Sequence, residues 1–441
     1  MSPDVVHLIV LGLARRTPVI VGFCTAPCRA GTSSTRLLTG GITRRPGVVS
    51  PYDIGATILS LTGAPRPSGF IGRPLASEPN PGAIGSLDSL ERRLVRDASA
   101  GSTAAVVTDA ITVSVLVFGI LLVALGRAGI AARGAAGGWT AVAVGYPASR
   151  FLSSSIGVVR AVPVLLAFVL GAALLSPGRR RRTAALFFGI ALATTALFVV
   201  AALNPGGEPG LSIWGNPLTS WRFFGMQNAW AATIAGGVVV WGVLAGIGTA
   251  ALVAISFVVA AVMGAPTVGA NFVGVLTFAF GAALAALTLA RKRTGPFQVV
   301  VATAVAGLAF LGSLLADIGS PVSHGGRAAK RISDGGIATA WDFVTGRLRL
   351  NLDLIRGFWG GVVWVTLFVV TLLLLARWGA KVGDGPLVAR TAVWAGAMMA
   401  LASFALEDSG FYSGTTMLGA ALAAWIVTKA SPVETAPAGG G

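Results

Sequence analysis

Gly269-Ala-Asn-Phe-Val-Gly-Val-Leu-Thr-Phe-Ala-Phe-Gly-Ala-Ala-Leu-Ala-Ala-Leu-Thr-Leu-Ala-Arg291-Lys-Arg293 decides what kind of protein this is. Residues 269–290 carry no charge, and as a helix rising 1.5 Å per residue they cover the ~30 Å of a bilayer's hydrocarbon core. The run opens on Gly and Asn and stops at three consecutive bases. Similar stretches recur near 104–126, 136–155, 160–176, 183–203, 227–246, 248–265, 297–316, 358–376, 389–406 and 411–428, eleven in all. Of the 441 residues, 54% are apolar and only 11% charged, where soluble proteins carry about 25% charged residues. A water-soluble globule is excluded, and the expected fold class is an all-α polytopic membrane protein with about eleven transmembrane helices.

The bases orient it. Of 33 basic residues, 29 are Arg, and they lie between apolar runs rather than in one basic domain, so the net charge of +17 signals topology and not nucleic acid. With the N-terminal segment outside, the inner loops hold Arg127 and Arg133, Arg179 to Arg182, Arg291 to Arg293, Arg377 and Lys381, and Lys429. The opposite orientation would export the four-arginine run. N-outside, C-inside is therefore expected, which gives the outer face 204–226, 264–271, 317–357 and 407–410.

Residues 1–88 differ in kind, being rich in Gly, Pro, Ser and Arg; 89–103 read as a charged linker, 104–428 as the bundle and 429–441 as a disordered tail. The apolar run Val5–Leu13 precedes Arg15 and Arg16, the reverse of a signal peptide's charge order, so an export signal is expected upstream of Met1. Cys24 and Cys28 offer neither a disulfide framework nor a metal signature.

Candidate chemistry gathers in the outer loops. Asn216, Arg222 and Asn228 lie at the outer entry to the span at 227, and Asn271 at the outer entry to the span at 269. Two helix N-termini with free N–H groups could hold a phosphate, with Arg222 as a bidentate partner; equally, Asn228 and Asn271 would serve as plain helix caps. His324 and Arg327 follow in the long outer loop, as an acid/base or phosphate-binding pair or as ordinary loop residues. Ile337, Trp341, Val344, Leu348, Leu352 and Ile355 recur at helical spacing, with Asp342, Arg349, Asn351, Asp353 and Arg356 elsewhere on the wheel, and suggest an amphipathic helix on the outer surface. The alternation from Arg347 to Leu352 would equally suit a strand, and length favours the helix. Glu407 and Asp408 are adjacent acids able to bind a cation or take up a proton, or to sit in a solvated turn. Asp109, inside the first span, lies within about a turn of the outer surface.

Asp53-Ile-Gly-Ala-Thr57-Ile-Leu-Ser-Leu-Thr-Gly63, followed by Gly72-Arg-Pro-Leu75, resembles the C-terminal end of alkaline-phosphatase-superfamily domains, where the segment is structural and Asp53 would cap its helix. The nucleophile and metal ligands of that superfamily are missing, so 1–88 is expected to be a partial α/β remnant, the chain N-terminally truncated, and a divalent metal present only if a full domain exists. Arg222-Phe-Phe-Gly-Met-Gln-Asn228, Gly264-Ala-Pro-Thr-Val-Gly-Ala-Asn271-Phe-Val-Gly274, Ser323-His-Gly-Gly-Arg327 and Glu407-Asp-Ser-Gly410 resemble, in order, motifs of an uncharacterised bacterial multi-pass family whose fuller members carry such a domain before the bundle. Gln227, Ala229, Val273 and Glu407 depart from its pattern.

The expectation is a plasma-membrane protein of the cell envelope, without enzymatic activity as encoded and without a cofactor. It would meet membrane lipid and bind a phosphate-bearing lipid or glycan precursor through Asn216, Arg222, Asn228, Asn271, His324 and Arg327. A transporter or flippase of an envelope component is the alternative, and an inactive truncated product a third. The topology is tested by single cysteines in a background lacking Cys24 and Cys28: at Gly178 or Thr294 they should react with an impermeant thiol reagent only after permeabilisation, at Gly206 or Ser333 in intact cells.

Overall fold

A computed structural model describes residues 6–10, 21–25, 36–41, 43, 46–49, 51–67, 72–151, 157–174, 180–203, 225–293, 295–317, 336, 341–342, 344–353, 355–356, 365–366, 368–373 and 387–430. The elements of the N-terminal part are β1 (Val6–Val10), β2 (Val21–Thr25), β3 (Arg36–Thr39), α1 (Pro51–Thr62) and β4 (Ala76–Pro79). β1 pairs antiparallel with β2, and β3 with β4 across α1. Asp53 is fully buried. α1 starts at Pro51, so Asp53 lies in its first turn, where Oδ1 accepts the Arg73 N–H at 2.9 Å. Thr57 Oγ1 accepts the Leu75 N–H at 2.8 Å and donates to the Asp53 carbonyl at 2.6 Å. These bonds sew 72–75 onto α1, and Gly72, at φ +108°, is required because a Cβ would strike the Tyr52 carbonyl.

α2 (Ala83–Ala124) is one helix of 42 residues, so 89–103 is helical and continuous with the first span. Then come α3 (Ala128–Thr140), a π-helical turn (Ala141–Gly145), α4 (Tyr146–Phe151), α5 (Gly157–Leu174) and α6 (Arg180–Leu203). α7 (Asn228–Ala235), a second π-helical turn (Gly236–Trp241) and α8 (Gly242–Ala245) run on as one rod. α9 (Thr249–Gly264), α10 (Phe272–Arg291), α11 (Pro296–Asp317), α12 (Leu387–Leu406) and α13 (Gly410–Ala430) complete the described elements.

Among the described residues, seven helical stretches are long and apolar enough to cross a membrane: Thr103–Ala124, Arg180–Leu203, Asn228–Ala245, Phe272–Arg291, Pro296–Asp317, Leu387–Leu406 and Gly410–Ala430. Ala161–Ala173 and Thr249–Gly264 are shorter apolar helices. The expected span at 136–155 coincides with the end of α3, the π-helical turn and α4; of 358–376, only 365–366 and 368–373 are described, and they are helical.

The rods 228–245 and 410–430 are the most enclosed, whereas 103–124 and 296–317 turn most of their surface outward. Lipid tails are as apolar as leucine, so helices here are held by close van der Waals approach, and small residues line the contacts. Gly237 lies against Ala191, and Gly236 against Ala420 and the Trp139 ring. Trp241 packs between Trp139, 6.1 Å away between ring centroids, and Phe187, 4.8 Å away edge-on. At one end of the bundle, Arg181 Nε donates to the last carbonyl of α8, Ala245, at 3.1 Å, beside left-handed Gly246. That end holds Arg180 to Arg182. The opposite end gathers 225–228, 264–274 and 407–410, segments expected to share one face.

A Cβ on Gly396 would come within 2.8 Å of Val240 Cγ2 and 2.9 Å of Ala421 Cβ, whereas one on Gly312 meets nothing. In a denaturant titration in detergent, Gly396→Leu is expected to destabilise by about 1–3 kcal/mol from overpacking, and Gly312→Leu by far less.

Candidate functional site

The junction at that end is built from helix termini, whose N–H and C=O groups lack intrahelical partners. Gly225, at φ +83°, brings the chain so close to the 264–271 turn that a Cβ would lie 2.5 Å from the Gly269 carbonyl. The Met226 N–H donates to that carbonyl at 2.5 Å, and the Asn271 N–H to the Met263 carbonyl at 2.9 Å. Asn271 caps α10, its Oδ1 accepting the Gly274 N–H at 2.8 Å. Its Nδ2 donates to Asn228 Oδ1 at 2.9 Å and to the Met226 carbonyl at 3.1 Å. Asn228 Nδ2 in turn donates to Asp408 Oδ1 at 2.7 Å and to Ser409 Oγ at 2.8 Å. Both amides are buried and have no donor left to offer.

Glu407 is 1% exposed. Its Oε2 accepts the Ser413 hydroxyl at 2.6 Å, its Oε1 lies 3.3 Å from Thr277 Oγ1, and Ser403 donates to Ser413 Oγ at 2.7 Å. Burial pushes its carboxyl from 4.5 up to about 7; the hydroxyls of Ser413 and Ser403 oppose the rise, the Asp408 charge adds to it, and Thr277 opposes it. Asp408 pairs with Arg347 at 3.0 Å, on the helical residues 344–353. From the same helix, fully buried Asn351 donates from Nδ2 to the carbonyls of Glu407, at 2.6 Å, and Phe404, at 3.2 Å, and accepts the Phe411 N–H at 3.3 Å.

Of the residues expected to form a site, Asn228, Asn271, Glu407 and Asp408 come together here; Asn216, Arg222, His324 and Arg327 lie outside the described residues. Asn271 caps its helix and bonds to Asn228, and Asn228 alone reaches the turn at 407–410. Among the described residues no three His, Cys, Asp or Glu side chains gather as a metal site. Arg347, Asn351, Ser403 and Ser413 were not singled out from sequence. The available signals were Asn351 off the apolar stripe of its helix and two serines ten residues apart straddling the acids.

Beside the junction a cavity of about 230 Å³ opens between α2, α3, α4, α7 and α13. Thr108, Asp109 and Thr112 line one wall, Trp139, Tyr146 and Trp230 the others, and α13 borders it from Phe411 to Ala423. The π-helical turn 141–145 lies in its wall at Val142, and the second one holds Trp241 against Trp139. Asp109 is exposed into this space, without a hydrogen bond or ion pair among the described residues. Sequence placed it near the surface; the cavity is what it faces.

Compared with family models, curated proteins and solved structures, the chain matches none.

The Glu407 carboxyl binds its proton more tightly in the folded protein than in the unfolded one, so its contribution favours folding below pH 4.5 and is lost as pH rises to about 7. The thermal midpoint of the wild-type protein in detergent should therefore fall across that window, and that of Glu407→Gln should stay flatter.

Proposed function

We propose that this chain is a transporter or flippase of an envelope component in the plasma membrane, with eleven spans, the N-terminal segment outside and the C-terminus inside. The observation that carries this reading is the cavity. Its border on α13 runs from Phe411 to Ala423, about 18 Å along a helix axis, or roughly half of a hydrocarbon core. Its wall is mostly apolar and aromatic, set with threonines and one carboxylate, and in membrane proteins an intramembrane carboxylate facing such a space accompanies substrate pathways. The π-helical turn 141–145, which enters the cavity wall at Val142, supports a functional site here, because such turns cluster at functional sites in helices.

A second reading, the binding of a phosphate-bearing lipid or glycan precursor at the outer rim, is favoured by the meeting of the α7 and α10 N-termini through Asn228 and Asn271. Against it stand Asp408 in the same junction and the fully used amides. An anion placed there would meet the Asp408 carboxylate and no free side-chain donor from either asparagine.

Gly419 lines the cavity, and a Cβ on it meets nothing within 4 Å. In proteoliposomes carrying fluorescent lipids of different head groups, the wild-type protein should accelerate exchange between leaflets for at least one class, and Gly419→Trp should abolish it while eluting as a single species. A folded wild-type protein that moves none of them, yet retains phosphate-lipid binding that is lost in Arg222→Ala with Arg327→Ala, would replace this reading with the second.

A further inference from the structure

The cavity walls say which head group fits, an inference that rests on the cavity being the substrate site. Thr108 and Thr112 donate their hydroxyl protons to the carbonyls of Ala104 and Thr108, each at 2.8 Å. Thr233 and Thr415 do the same toward Ala229 and Phe411, at 2.9 and 2.7 Å. Each hydroxyl is left with lone pairs alone to present, because a hydroxyl has a single proton to donate. Those four threonines therefore offer acceptors, and Asp109 adds a carboxylate without a hydrogen bond or ion pair among the described residues, close enough to Tyr412 for its charge to be felt there. Trp139, Tyr146, Trp230 and Tyr412 bring aromatic rings to the same wall.

Three kinds of amphiphile can be weighed against that wall. An anionic head would be repelled by Asp109 in a region where charges are poorly screened. A neutral, apolar ligand would displace water and leave the carboxylate unpaired in hydrocarbon, which is costly. An ammonium head supplies the opposite charge, donates N–H bonds to the acceptors and is attracted by the ring faces.

We infer that the cavity binds an amphiphile with an ammonium head, which pairs with Asp109 while its chain lies along the apolar wall of α13. Asp109 is the specificity-determining residue, and Trp139 and Tyr412 supply the aromatic surface.

The test uses the full chain in nanodiscs of zwitterionic lipid and three probes of equal chain length: hexylammonium, hexanol and hexyl phosphate. Calorimetric titration should show hexylammonium binding at least about tenfold more tightly than either of the others. Asp109→Asn should erase that preference and Asp109→Glu should keep it, which separates lost recognition from lost folding. Equal affinity for the three probes, or a preference that survives Asp109→Asn, overturns the inference. Leaflet exchange without ammonium preference removes this head-group assignment but leaves transport standing; ammonium preference without exchange supports the assignment and removes transport.

Discussion

A three-residue turn between two spans leaves a problem at the edge of the hydrocarbon: the last carbonyls of one helix and the first N–H groups of the next have no partners and little water. Asn351 meets that demand from outside the bundle. Its amide donates to the carbonyls of Phe404 and Glu407 and accepts the Phe411 N–H, so one side chain closes the end of Leu387–Leu406 and the start of Gly410–Ala430. Only glycine fits at 410, where a Cβ would collide with the Ser403 carbonyl. With the turn fixed, Asp408 and Ser409 receive Asn228, Asn228 receives Asn271, and Asn271 caps the helix from Phe272. The position of α13, and with it the Phe411 and Tyr412 wall of the cavity, depends on the same turn.

The two acids of that turn have been dealt with differently. Asp408 sits beside Arg347 and the Asn228 amide at a half-exposed rim. Glu407 is enclosed, and burial keeps a proton on its carboxyl up to about neutral pH although the hydroxyls of Ser413 and Ser403 favour the charged form. The neighbouring Asp408 charge adds to the effect, and among the described residues no cation pairs with Glu407, so the neutral form is the cheaper one to bury.

The membrane class and most spans were legible because hydropathy is read residue by residue: Phe272–Arg291 and Gly410–Ala430 follow from composition alone. That Asn228, Asn271, Glu407 and Asp408 share one face was legible too, since alternating spans assign their loops to one side. What could not be read was pairing. Glycine and alanine occur on every helix face, so nothing in the chain marks Gly396 as facing Ala421 or Gly312 as facing outward. Residues 89–103 looked like a linker because they are charged, yet they contain no Pro, and Asp88 and Arg92, one turn apart, pair along a continuous helix. Asn351 looked like one polar position among several on its wheel; its task is set by two carbonyls more than fifty residues away. Asp109 was visible as an acid in a span, but the space it faces is made by four other helices.

The π-helical turn at Ala141–Gly145 is a surplus residue in an otherwise regular rod. It lies between Trp139 on one side and Tyr146 and Pro147 on the other, all of which border the same cavity. Because the wider turn already absorbs the extra residue, deleting one residue from it would let the backbone close to an ordinary α-helix with Tyr146 and Pro147 facing almost as they do now, whereas a deletion from a regular part of the rod would swing everything beyond it by about 100°. The turn is thus a place where this rod can be shortened without redirecting the cavity wall beyond it.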